Sequence, residues 1–318
     1  MQKETKTFDF TTLKENGIGH YIRMNREARG YSQLDICDGI CSIPMLSLIE
    51  KGEKTADYWM AEALLERMKI KKSECEFVLD DATCNIQMHR EAIVTQIQGK
   101  EYREAEENLT LYQEKYGGDK FHDQFLFFQK ASLERARPKP DNGRKKELFL
   151  KALTITAPGY KEIIYNKGVM SNLELECIAE IIHCIEDLEE RASEYKNLYE
   201  YFQWNCKREG FFPPAYRIAM QYNAECLYES GKPEECIQAC NMILEELRGT
   251  SKVTNRVPIF LLRAKAREAK GLKTEEEKRD CMKDYLTVYT VISFYDGEKE
   301  TEALKKYIEE EYGWQFTD

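Results

Sequence analysis

Between residues 17 and 52 the apolar positions fall at helical spacing in three short runs separated by polar punctuation. Ile22, Ile36, Leu46 and Ile49 are the inward positions of these runs. Gly30 stops the first helix, and Ser32 is placed to cap the second. Ser42 caps the third, and Pro44 sits in its first turn, where a missing N–H costs little. The turn between the second and third helices reads Asp38-Gly39-Ile40-Cys41.

From about residue 84 onward strand-like alternation is absent and helix formers dominate. The pattern predicts paired helices at 84–98 with 102–116, 119–136 with 143–156, 172–188 with 191–208, 213–230 with 233–248, and 255–270 with 275–294. A last helix at 298–312 closes the series. Breaks fall at Gly99, Gly117-Gly118, Pro138 to Gly143, Pro158-Gly159, Pro213-Pro214, Gly231-Lys232-Pro233, Gly271 and Gly297. Gly231 and Gly271 lie about 40 residues apart, a period of the kind that α-solenoids show. Ser171-Asn172 before Leu173-Glu174-Leu175-Glu176 predicts a capped helix start, while 157–171 has no clear form. The stretch Lys69 to Cys84 reads as a hinge, a connecting helix with a short turn over Glu74 to Leu79, or a solvated spacer.

Two short helices joined by a tight Gly-containing turn are the DNA-reading unit of helix-turn-helix proteins. Arg23 and Arg26, Ser32-Gln33, and Leu46-Ser47-x-Ile49-Glu50-x-Gly52 together resemble the Cro/repressor-type (XRE) family over roughly the first fifth of the chain. A plain three-helix core fragment would explain the apolar positions but not Ser-Gln and Glu-x-Gly at these offsets. The resemblance implies a five-helix-type domain, a structural ion pair between Arg26 and Glu50, and a phosphate contact from Gln33. It places Ile43, Pro44, Met45 and Leu48 toward base edges. All four are apolar, so they can touch a thymine methyl but cannot make bidentate hydrogen bonds to guanine or adenine. Three outcomes stay open: recognition through phosphates and DNA shape, a larger share for Ser42, Ser47 and Lys51, or a domain turned to assembly; Ser32 and Lys54 are further expected DNA contacts.

Composition modifies this picture. The 318 residues suffice for two domains, and the net charge is −10. Residues 1–72 hold 12 basic and 11 acidic side chains, so the acidity lies in the remainder, which is not expected to bind DNA itself. No apolar run is long enough to span a membrane and the first residues lack a signal-peptide core, so a cytosolic protein with no membrane partner is expected. The 11 cysteines include no CxxC; Cys236 and Cys240, like Cys177 and Cys184, repeat on one helix face and read as core thiols. The four histidines are scattered, so no metal site is expected, and no cofactor. No P-loop, GxGxxG, GxSxG, HExxH or kinase signature appears, and an enzyme is not expected.

Gly99-Lys100-Glu101-Tyr102-Arg103-Glu104-Ala105, and Ala224, Gly231 and Cys236, resemble the joints of tetratricopeptide repeats. A helix-turn-helix followed by such repeats resembles the RRNPP peptide-pheromone regulators of Gram-positive bacteria. That resemblance implies an all-α chain: a DNA-binding domain at 1–70, a linker at 71–83, and a right-handed α-solenoid at 84–318 for peptide binding and dimerisation. The partners it implies are an operator in double-stranded DNA, a short signalling peptide and a second copy of the chain. Repeat register points Gln221, Glu225 and Tyr228 inward with Asn223 near them, and offers Arg263, Arg267, Gln124 and Phe128 as further peptide contacts. A dimeric repressor without ligand and a protein-binding adaptor without DNA reading remain as alternatives.

Overall fold

The computed structural model describes residues 13–70, 80–247, 253–295 and 298–316. Among the described residues the regular elements are α-helices and one 3₁₀ turn at Val253–Arg256, so the fold is all-α. Contacts divide the chain into two compact units, one of Met1–Cys184 with Tyr201–Ala215, the other of Ile185–Glu200 with Tyr216–Asp318.

The first unit begins with four helices: α1 (Leu13–Ala28), α2 (Gln33–Cys37), α3 (Ile43–Glu50) and α4 (Tyr58–Arg67). Their core is Ile22, Ile36, Ile40, Leu46, Ile49, Leu64 and Met68, and it continues without a break into Phe121 and Val169 further along the chain. Gly19 lets α1 close on α3, because a Cβ there would fall 1.8 Å from the carbonyl oxygen of Ile49. Gly17 interrupts α1 with a left-handed φ of 63°. Residues 13–70 hold four of the five helices expected for this domain; the 71–79 part of the linker, with the short turn expected over Glu74 to Leu79, lies outside the described residues.

Next come α5 (Asp81–Gln98), α6 (Tyr102–Tyr116), α7 (Lys120–Ala136), α8 (Asn142–Thr156), α9 (Tyr160–Tyr165) and α10 (Asn172–His183). Neighbours in sequence pack on each other, α5 on α6, α6 on α7 and α7 on α8, and α8 packs on α10. Ile93, Ile97, Leu109, Tyr112, Leu126 and Leu133 fill the space within α5–α7. Helix α9 occupies the stretch to which the sequence assigns no form. Helix α10 ends at His183, short of the expected 188. The cause is Asp187, whose carboxylate accepts the backbone N–H of Glu190 at 2.7 Å and so starts a new helix, α11 (Leu188–Glu209).

The second unit holds α12 (Pro214–Glu229) from Tyr216 on, α13 (Pro233–Glu246), α14 (Val257–Lys270), α15 (Glu275–Tyr295) and α16 (Glu298–Tyr312). Here α13 packs on α14, α14 on α15 and α15 on α16, around Ala264, Cys281, Tyr285 and Ile308. Cys236 and Cys240 are fully buried free thiols one turn apart on α13. Glu268 accepts hydroxyl hydrogens from Tyr285, Tyr307 and Tyr312 at 2.8, 2.7 and 2.5 Å, tying α16 to α14.

Candidate nucleic-acid interface and ligand positions

Helices α2 and α3 are set by their caps. Ser32 accepts the N–H of Asp35 and Asp35 accepts the N–H of Ser32, a reciprocal box that fixes the start of α2. Ser42 accepts the N–H of Met45 at 3.3 Å and fixes the start of α3. Both serines therefore spend their hydroxyl oxygens on backbone while remaining exposed.

One buried carboxylate ties the motif together. Arg26 reaches Glu50 through Nε at 2.6 Å and Nη2 at 2.8 Å, and gives Nη1 to the carbonyl of Tyr31 at 2.9 Å. Gln33 donates its Nε2 to the same Glu50 at 2.8 Å. An amide nitrogen carries two hydrogens, so one donor of Gln33 stays available while the other fixes its direction.

The outward arc of α3 follows from its period. At 100° per residue Ile43, Ser47, Lys51, Pro44 and Leu48 fall within about 140° of each other. Ile43 is 42% exposed and Leu48 38%, and Pro44 and Lys51 are exposed with them. Met45 falls outside this arc and packs, half-buried, against the core. Its side chain is spent on packing, unlike the base-facing position the family resemblance gives it. Lys54 is exposed beyond the end of α3.

Within the same unit the motif is fastened to the helices that follow. Gly39, at φ +72° in the turn, lies so close to α8 that a Cβ would fall 1.9 Å from the Thr156 carbonyl oxygen. Arg67 and Glu174, each 1% exposed, meet at 2.6 Å. Arg67 also donates to the carbonyls of Asp38 at 2.6 Å and Thr156 at 2.8 Å. Glu174 accepts the hydroxyl of Thr156 at 2.7 Å and the N–H of Ser171 at 2.7 Å, so it caps α10 and neutralises Arg67 at once. Burial alone would raise the Glu174 carboxyl, but the Arg67 charge and these hydrogen bonds hold it below its ordinary value. Burial, with Glu174 and Glu62 nearby, pushes Glu66 up to about 7, and burial draws Lys69 down to about 8. Lys120 donates to the carbonyls of Gly39 and Ile40, Lys69 to that of Met170, and Tyr31 to Glu209. Arg67 stands in the sequence as a charge inside the apolar run Leu64, Leu65, Met68, which is the one signal that could have revealed this cluster.

Solved structures of similar course include PlcR of Bacillus thuringiensis, crystallised with the peptide PapR7 and DNA, at 16% identity and TM-score 0.49, covering 91% of this chain and 99% of that one. The apo form of the competence regulator ComR from Streptococcus vestibularis follows at 15% and 0.47, covering 92% and 97%. The pheromone receptor Rgg2 of Streptococcus dysgalactiae follows at 14% and 0.40, covering 92% and 99%. These neighbours are RRNPP regulators, the kind of protein the sequence resembles. No family profile and no curated protein sequence matches the chain.

The expected peptide contacts are placed as follows. In the first unit Gln124 donates to the Ala152 carbonyl at 3.1 Å and the Thr156 hydroxyl at 2.7 Å, and Phe128 meets Phe149 edge to face at 5.6 Å. In the second unit Arg263 forms a fork on Asp284 at 2.9 and 2.6 Å, and Arg267 reaches the same carboxylate at 2.7 Å. Both guanidinium charges are therefore answered by one buried aspartate. Gln221 donates to Glu225 at 3.1 Å, and Tyr228 is half-buried. Asn223 does not join them, contrary to the sequence reading. It follows Gln221 by two residues, about 200° round the helix. It lines a cavity of about 220 Å³ with Tyr199, Tyr216, Met220, Ala239, Met242 and Ile243. The sequence marks none of these six as ligand contacts.

Proposed function

We propose that the chain is a cytosolic, homodimeric transcription regulator that binds double-stranded DNA through α2 and α3 and answers to a short signalling peptide. The observation that carries this is the build of the motif: two capped helices, a fixed Gln33 donor, and an outward α3 arc ending near Lys51 and Lys54. Gln33, Lys51 and Lys54 supply phosphate contacts, which position without specifying sequence. Two copies would read half-sites about 34 Å apart. The test is binding of the full chain to labelled duplexes over a salt series. Affinity should fall steeply with salt, and Gln33→Ala should weaken operator and scrambled DNA alike. Salt-independent binding, or none, would sink the reading in favour of a protein-binding adaptor.

The ligand half of the reading rests on the second unit. An extended peptide of about 5–10 residues suits helical repeats. The Asn223 cavity offers apolar walls for one side chain and an amide for the backbone. The acidity of the chain beyond residue 72 favours a neutral or basic peptide over an acidic one. Screening the chain against a library of linear peptides, then calorimetry of a hit on Asn223→Ala, checks it. The variant should bind at least tenfold more weakly, and an unchanged affinity would remove Asn223 from the site.

A further inference from the structure

The apolar arc of α3 faces water, although apolar side chains of that size are more often inside. In helix-turn-helix docking the N-terminal residues of the second helix meet base edges. Here those residues are Ile43 and Pro44, followed one turn later by Ser47 and Leu48. Ile43 and Leu48 are 42% and 38% exposed, and none of the four can grip guanine or adenine by a pair of hydrogen bonds. Ser47 can bond to any base and discriminates little. The cations Lys51 and Lys54 lie at the far end of α3, where they suit phosphates. Gln33, the amide that elsewhere could read adenine, is turned toward Glu50.

From this arrangement we infer that the chain reads its operator by thymine methyl groups, with Ile43 and Leu48 as the specificity-determining side chains. The inference rests on the DNA-binding reading above. A major-groove thymine offers the C5 methyl as its one apolar feature, and an aliphatic side chain that covers it removes both from water. The basic residues at the end of α3 match a phosphate backbone, which favours duplex DNA as the occupant of this face over a second protein surface. Operators should therefore carry thymines, rather than guanines, at the positions under the start of α3.

The experiment is selection of duplexes from a random pool by the full chain, followed by replacement of each selected thymine with deoxyuridine. Uracil pairs as thymine does and lacks only the methyl. At contacted positions the loss should be about fourfold per methyl, from roughly 0.8 kcal/mol per buried carbon. Ile43→Ser and Leu48→Ser, both surface changes, should each abolish the thymine–uracil difference at one position while binding to non-specific DNA persists. Equal binding of thymine and uracil duplexes would overturn the inference and leave DNA binding intact. Selected sites that require guanine N7 under the start of α3 would overturn it as well. Failure to select any duplex would overturn the DNA-binding reading and this one with it. A dimer that the double serine variant dissociates in sedimentation, with no change in DNA preference, would assign the face to self-association and overturn the inference too.

Discussion

Glu50 answers two side chains at once, and its loss of either has a different consequence. Arg26→Ala would leave a buried carboxylate without its cation and should cost about 3–5 kcal/mol. Urea denaturation of the full chain checks this, and an unchanged midpoint would show that the pair contributes nothing net. Gln33→Ala removes one hydrogen bond to the same carboxylate but leaves its cation in place, so it should cost less than Arg26→Ala. Glu66 makes a pH prediction. Its carboxyl rises from 4.5 to about 7, so the folded state holds the proton more tightly than the unfolded chain. Its contribution is complete below pH 4.5 and fades as pH rises through about 7. Lys69 drops from 10.5 to about 8, so its contribution is complete above 10.5 and already lost below 8, outside that window. Glu66→Gln should therefore flatten the fall in stability between pH 4.5 and 7, measured by melting temperature against pH. A slope equal to that of the wild type would exclude Glu66 as its source.

At the scale of elements, single residues decide where helices begin and how closely they approach. Gly39→Ala would strain a left-handed backbone and push a Cβ into the Thr156 carbonyl, so a destabilisation of at least about 2 kcal/mol is expected. Asp187→Ala removes the cap that separates α10 from α11 and should cost about 1 kcal/mol. A wild-type melting curve for either variant would contradict the geometry described. Most helix starts were legible because local groups set them: Ser32, Ser42 and Ser171 cap where the sequence places them. The end of α10 was not, because Cys184 to Glu186 reads as helix until Asp187 is recognised as a cap. Asn223 falls on the face of α12 opposite Gln221, which the sequence does not reveal because repeat joints fix a helix's ends better than its rotation. The partners of Arg67 were hidden for another reason, since Glu174 lies over a hundred residues away and no local pattern connects them.

At the scale of the molecule, the four N-terminal helices belong to a larger compact unit. Glu174→Gln should destabilise them together with α8 and α10, because Arg67 binds to both sides of that contact. Hydrogen exchange should show α3, α8 and α10 opening with one free energy. Exchange of α3 at a much lower free energy than α8 would refute a shared unit. The Gly39 turn then has a consequence for engineering and for descent. A four-helix segment seated on Thr156 and Glu174 is not a cassette. Transplanted without α8 and α10 it would arrive with Arg67 stripped of Thr156 and Glu174, so working chimeras should be those whose splice point falls after Ala215, where the first unit ends.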